Sequence, residues 1–174
     1  MLGGSMQRRS QVLHSAPNRE LYLEDYQKNR IFYSISRRLE LEQTQINIPE
    51  DELRKLSLAG GLMARVAYAD HDVQESEFDG MVAAMRDYWR ISEMEATMVV
   101  EVAVSEISKG MDYFRLAREF FIVTNQDERV SFIKALFAIA SQHDGVSYQE
   151  TEEIRSVSKL LKLTHKQFIE AKIL

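Results

Sequence analysis

Two segments of this chain are apolar on nearly every side when they are read as α-helices, and this feature constrains the fold most. Residues 53–69 carry leucine, methionine, valine and alanine on two separate helical rows, and residues 130–140 are almost as uniformly apolar. Such a helix has to be enclosed, either by other protein or by lipid. The longest runs without a charged residue have nine positions, about half of what a membrane-spanning helix needs. We therefore predict two buried central helices, surrounded by others.

The rest of the composition favours an all-α, single-domain bundle of about eight helices. The chain has 174 residues, only two prolines and no cysteine, so helices are rarely interrupted and disulfides, thiolate zinc sites and cysteine nucleophiles are excluded. Capping boxes, in which a Ser, Thr or Asn precedes a Glu or Gln by three residues, mark several helix starts. The predicted boxes are Ser92 with Glu95, Asn125 with Glu128, Ser147 with Glu150, and Thr164 with Gln167.

The chain divides into three predicted parts. Residues 1–19 have no hydrophobic period and are expected to form a flexible leader. They also lack the apolar run of a secretory signal, which favours a cytoplasmic location for the protein. Residues 20–45 are expected to form one long amphipathic helix, and residues 46–174 the helical domain. The amphipathic helix carries more aromatic side chains than one packing stripe needs. These candidate partner-binding residues are Tyr22, Tyr26, Phe32 and Tyr33.

This aromatic surface has three possible uses: it could close over the helical domain, pair with a second copy of the chain as a homodimer, or dock another protein. Nucleic acid is not an expected partner, because residues 46–174 carry fifteen Lys/Arg against twenty-two Asp/Glu and phosphate backbones demand clustered basic charge. No membrane span is expected. The excess of basic residues in positions 1–45 leaves peripheral membrane association open.

The two central segments also begin an internal repeat. Residues 58–91 and 131–163 share the order buried helix, acidic turn, amphipathic helix and breaker, at an offset of 72 or 73 positions. Glu77 aligns with Glu150 in this comparison. Two copies of one helical hairpin packed face to face would bury both central helices at once.

The acidic turns of the two copies are candidate divalent-cation sites. Carboxylates at this density suit calcium or magnesium, and the adjacent His71 and His143 broaden the choice to manganese or zinc. The spacing excludes an EF-hand, because Met81 occupies the position that requires a bidentate Glu. At most a weak, partly hydrated site is expected, and no cofactor is required. The candidate ligands are Asp70, Asp72, Glu77, Asp144 and Glu150.

A purely structural explanation of the same turns stays open. Gly145 can adopt a positive φ and end the preceding helix, after which Ser147 and Glu150 cap the next one. Acidic residues near a helix N-terminus also interact favourably with its dipole.

The turn sequences resemble those of a known family. Residues 69–77, ADHDVQESE, resemble the A-D-G-x-V-x-x-x-E turn of the tellurite-resistance TerB-like family, and residues 144–150, DGVSYQE, are similar to its shorter second copy. The resemblance spans about residues 50–174 and departs at His71, where the family usually has Gly. It implies an all-helical cytoplasmic stress-response domain that is not an enzyme, of a kind also found beside J-type co-chaperone modules.

These observations predict a non-enzymatic TerB-like protein that acts through protein contacts, with weak cation binding at its acidic turns. The alternative is a structural adaptor or co-chaperone-type accessory domain without a metal site. A third reading, a hydrolase, requires a pocket that joins His71 or His143 to a shielded carboxylate; the sequence has no phosphate loop, zinc-protease helix or nucleophile elbow to support it.

Overall fold

The computed structural model describes residues 16–142 and 144–173, and this part of the chain is all-helical, as predicted. It contains nine helices and no strand. Their bounds are α1 Ala16–Lys28, α2 Arg30–Glu42, α3 Glu50–Ala67, α4 Glu75–Trp89, α5 Glu93–Ser108, α6 Tyr113–Val123, α7 Gln126–Ala140, α8 Tyr148–Leu160 and α9 His165–Lys172. None of the helices in the described ranges is both long and apolar enough to cross a bilayer.

Helix α3 is the centre of the bundle. It contacts α2, α4, α5, α6, α7 and α8, which accounts for an apolar surface on most of its sides. Gly60 and Gly61 make these contacts close: a methyl group at Gly60 would lie 3.2 Å from both Met85 and Val99, and one at Gly61 would lie 2.7 Å from Ile31 and Leu116. The glycines therefore offset their cost in helix propensity by admitting helices on two sides.

The two predicted hairpins make reciprocal contacts. Helix α3 contacts α4 and α5, and α7 likewise contacts α8 and α9; across the bundle α4 contacts α7, and α8 contacts α3. Helix α7 is buried through residues such as Ile133, Leu136 and Phe137. Both central helices are thus enclosed, whereas the duplication itself stays a prediction.

Local side-chain caps begin four of the helices as the sequence predicts. The side-chain oxygens of Ser92, Asn125, Ser147 and Thr164 accept the backbone N–H three residues later at 2.9–3.2 Å. The Glu or Gln at that third position accepts the N–H of the capping residue in return. Each box satisfies backbone donors that a helix N-terminus leaves free.

The prediction of one long helix over residues 20–45 is wrong, because the chain bends at Asn29. The rings of Tyr26 and Tyr33 lie 5.4 Å apart, whereas seven residues of straight helix span about 10 Å. The Asn29 side chain donates to the backbone oxygen of Asp25 and to its carboxylate, at 3.2 and 3.0 Å. The Asp25 oxygen thus accepts both the backbone N–H and the side-chain amide of Asn29, at the point where α1 ends and α2 begins.

The predicted leader also needs a correction, since residues 16–19 already belong to α1. Residues 1–15 lie outside the described part of the chain. Pro49, a residue type that is common at the first helical position, is the N-cap of α3 with φ −56° and ψ 149°. Its fixed φ suits either position.

Candidate carboxylate pair and exposed aromatic surface

Two carboxylates from the predicted metal-site residues meet inside the protein. Glu77 lies in the first turn of α4 and Glu150 in the first turn of α8, and each residue is 5% exposed. One oxygen of each carboxylate accepts the N–H of the capping residue, from Gln74 to Glu77 and from Ser147 to Glu150, both at 2.8 Å. The side chains of the two glutamates are themselves close enough to share a hydrogen bond. We refer to Glu77 and Glu150 as the carboxylate pair.

This arrangement changes the chemistry of Glu77. The pKa of Glu77 is raised to about 7, mainly by burial. The N–H of Gln74 opposes this rise, and the nearby carboxylates of Glu150 and Asp70 contribute to it. Two carboxyl groups that share a buried site resist simultaneous ionisation. The pair can therefore hold a proton near neutral pH, or gain from a cation that neutralises it.

The other predicted ligands do not join the pair. Asp70 is exposed and accepts the N–H of Asp72 at 3.3 Å, while Asp72 accepts the amide of Gln74 at 2.9 Å. Asp144 is also exposed. Among the side chains that the structure describes, no three Asp, Glu or His residues are grouped so that they could hold one metal ion.

The two histidines of the turns give no support to a hydrolytic site. His71 is exposed and its ring packs edge-on against Tyr68, with centroids 5.7 Å apart. His143 lies outside the described residues. The pocket that the hydrolase reading requires is therefore not formed around His71.

The second candidate site is a group of exposed apolar side chains around the middle of α1. Leu21, Tyr22, Leu23 and Tyr26 are between 40% and 63% exposed. The C-terminal end of α1 contacts α6: Lys28 Nζ lies 3.8 Å from a Glu119 oxygen, and Gln27 accepts a hydrogen bond from Arg115 at 2.6 Å. We call these four exposed side chains the α1 face.

Two of the predicted partner-binding residues have other roles. Phe32 is 7% exposed and lies beneath the Arg54 guanidinium, 4.1 Å from its ring centroid, so it belongs to the core. Tyr33 is half-buried; its hydroxyl donates to Asp25 and its ring stacks on Tyr26. Sequence reasoning missed Leu21 and Leu23, because their exposure depends on which side of α1 packs against α6.

Comparison with protein families identifies the chain. The family described as tellurite resistance protein TerB matches residues 56–173, well over half of the sequence. The chain belongs to the TerB family. Neither the curated proteins nor the solved structures give a match.

TerB membership, together with the backbone, explains the first turn. The family pattern usually has Gly at the position of His71, and His71 adopts a left-handed conformation with φ 70°. In the second turn Asp144 has φ 46° and Gly145 has φ 84°. The first turn therefore has the left-handed backbone conformation that glycine adopts most easily. His71 adopts this conformation at some cost in strain. TerB domains are generally non-enzymatic.

Proposed function

We propose that this TerB-family protein is a non-enzymatic, cytoplasmic stress-response protein that works through protein contacts, and that the α1 face is the contact surface. The exposure of four neighbouring apolar side chains on one helix carries this proposal. Exposed apolar clusters on otherwise polar surfaces are typical of interaction sites, and tyrosine is enriched in them. The occupant is another protein or a second copy of this chain.

Co-purification from the native cell tests this proposal. The double substitution Leu21→Ser/Tyr22→Ser removes half of the α1 face without touching the core. Tyr148→Ser/Ile173→Ser is a matched control, since those two apolar residues are exposed elsewhere, at 77% and 75%. We expect the first variant to lose specific partners and the control to keep them. If both variants retain the same partners as the unmodified chain, the α1 face is not the contact surface.

Light scattering of the purified chain separates the two kinds of occupant. If the occupant is a second copy, the apparent mass rises towards twice that of one chain with concentration, and Leu21→Ser/Tyr22→Ser abolishes the rise. A constant monomeric mass leaves a different protein as the partner.

The carboxylate pair favours a second candidate function, weak binding of a divalent cation. The supporting observation is that two buried carboxylates face each other with Asp70 nearby, so that a calcium, magnesium, manganese or zinc ion would relieve their repulsion. Glu77 and Glu150 would hold the ion, and water would fill most of its other coordination positions. The reason is that no group of three Asp, Glu or His side chains converges among the described residues. The ion would supply charge neutralisation that links the starts of α4 and α8.

Calorimetric titration distinguishes this second function from an adaptor or co-chaperone-type accessory domain without a metal. Binding to the pair should release protons near pH 7 and be lost in both Glu77→Gln and Glu150→Gln. Heat that persists in both variants would place the ion elsewhere. The absence of heat and of any thermal shift at about millimolar ion would favour the metal-free adaptor.

A further inference from the structure

A pocket of about 320 Å³ lies at the corner where α8 ends and α9 begins. Its charged lining residues are Arg155 and Lys159 of α8, and no carboxylate lines it. His165, in the first turn of α9, also lines the pocket. Pockets that bind small molecules begin at about 300 Å³, so this one suits a small ligand.

The charges around the pocket are mostly positive. Residues 155–172 contain five Lys/Arg and one acid, Glu170, although the whole chain has a net charge of −5. Glu170 lies 3.8 Å from the lysine four positions before it. Lys159 is exposed and forms no ion pair with any residue in the described ranges. The same holds for Lys162, whose Nζ lies 4.9 Å from the ring centroid of Phe121.

The acidic residues of α8 leave most of this charge uncompensated. Glu152 lies 3.5 Å from Arg155 Nε, but no hydrogen bond joins them. Both side chains are 41% exposed, so water screens the pair. Glu153 instead accepts a hydrogen bond from Arg65 of α3 at 2.8 Å. The pocket therefore favours an anion.

Ser158 provides a hydrogen-bond donor that the fold does not use. The residue is 2% exposed and lines the pocket, yet its hydroxyl forms no hydrogen bond with any residue that the structure describes. The equally buried Ser57, by contrast, donates to the backbone oxygen of Leu53 at 2.6 Å. Buried polar side chains are nearly always paired, so the hydroxyl of Ser158 is available to a ligand.

The start of α9 contributes two further donors. Its capping box satisfies the N–H groups of Thr164 and Gln167, at 2.9 and 3.2 Å. The N–H groups of His165 and Lys166 form no hydrogen bond within the described part of the chain. Free N–H groups at a helix N-terminus attract anions, and they reinforce the preference that the α8 side chains create.

We propose that this pocket binds a small phosphate monoester. The phosphate group lies between Arg155, Lys159 and the start of α9, and the Ser158 hydroxyl donates to one of its oxygens. A phosphate dianion offers three acceptor oxygens to these cations and donors, more than a carboxylate does. The site lies at the other end of α8 from Glu150 and includes no residue of the α1 face, so it does not depend on either proposed function.

Calorimetric titration of the full chain with glycerol 3-phosphate tests the proposal, at low salt and about pH 7.5, where a phosphate monoester is doubly ionised. Glycerate provides a carboxylate in place of the phosphate, and glycerol provides neither. We expect saturable binding of glycerol 3-phosphate with a Kd of about 1 mM or below. Glycerate should bind at least about threefold more weakly, and glycerol should give no binding heat.

Three variants locate the site. Ser158→Ala should weaken binding of glycerol 3-phosphate by about two- to tenfold, and Lys159→Gln by about two- to fivefold. Lys172→Gln makes the same change in net charge in the last turn of α9 and should leave the affinity unchanged. Circular dichroism checks that all three variants are folded.

Four results would each overturn the proposal. The first is the absence of saturable binding of glycerol 3-phosphate up to about 10 mM, and the second is equally tight binding of glycerate. The third is an equal loss of affinity in Lys172→Gln and Lys159→Gln, which would show a diffuse attraction to positive charge. The fourth is an unchanged affinity in Ser158→Ala.

Discussion

Glutamine in place of Glu77 should make the protein less sensitive to pH. Burial raises the pKa of this carboxyl to about 7 in the folded state, against 4.5 for an ordinary glutamate, with the Gln74 N–H opposing the rise and Glu150 and Asp70 adding to it. Between these two values the folded protein binds a proton that the unfolded chain releases. The stabilisation is therefore complete below about pH 4.5 and is lost as the pH rises through about 7.

The expected magnitude follows from the two pKa values. Their separation corresponds to at most about 3 kcal/mol of unfolding free energy, and Glu77 is only 5% exposed, so solvent screening reduces it little. Glutamine resembles the protonated acid and keeps an oxygen for the Gln74 N–H. We expect Glu77→Gln to match the unmodified protein at pH 4 and to exceed its stability by about 2–3 kcal/mol at pH 8.

Urea unfolding followed by circular dichroism from pH 4 to 8 measures this difference, and Glu95 provides a control at the same capping position. Burial alone would raise the pKa of Glu95. Hydrogen bonds from the backbone N–H groups of Ser92 and Asn47 outweigh this effect, so the pKa is lowered. Glu95→Gln should therefore be less stable than the unmodified protein at pH 8, by about 0.5–1 kcal/mol, and this gap should close as the pH falls through the lowered pKa.

The two substitutions are thus expected to give pH dependences of opposite sign. A stability difference for Glu77→Gln that stays constant from pH 4 to 8, or that favours the unmodified protein at pH 8, would refute the reasoning. The carboxylate pair would then be ionised in the folded state.

Three further substitutions test the packing and the turns, each by urea unfolding at pH 7. His71→Gly should raise the unfolding free energy by about 0.5–1 kcal/mol, because relief of the positive φ outweighs the entropy of glycine; a loss would show that the ring contact of His71 matters more. Gly61→Ala should cost up to about 2 kcal/mol, since overpacking against two buried methyl groups exceeds the gain in helix propensity, and a more stable variant would contradict that. Arg30→Ala should cost about 1–3 kcal/mol, because Arg30 Nε lies 2.6 Å from the carboxylate of the buried Glu106; no change would mean that the remaining neighbours of Glu106 suffice.

The parts of the fold that sequence reasoning found are those with local causes. The capping boxes at Ser92 and Ser147 depend on residues three positions apart, and the enclosure of α3 follows from its lack of a polar side. The Gly60–Gly61 pair is a local signal of the same kind, because a buried helix with two costly glycines needs a compensating gain in packing, and both glycines do lie against neighbouring helices.

The candidate sites were only partly accessible to the same reasoning. The carboxylate pair was among the predicted residues because the repeat aligned Glu77 with Glu150. Asp72 and Asp144 were predicted with it but lie on the exposed sides of their turns, and nothing in the local pattern indicates which way a turn residue points. The burial of Phe32 and the exposure of Leu21 depend in the same way on the bend at Asn29, which one helical period cannot distinguish from a continuous helix.

The sequence by itself determined that the chain is helical, where most of its helices begin, which two of them are enclosed and to which family it belongs, since these depend on composition, on short-range hydrogen bonding and on motif. Only the tertiary structure decided that the helix breaks at Asn29, that Leu21 and Leu23 are exposed while Phe32 is buried, and that Glu77 meets Glu150. These features join residues far apart in the chain, and their free energies depend on distances and burial that exist only once the helices have packed.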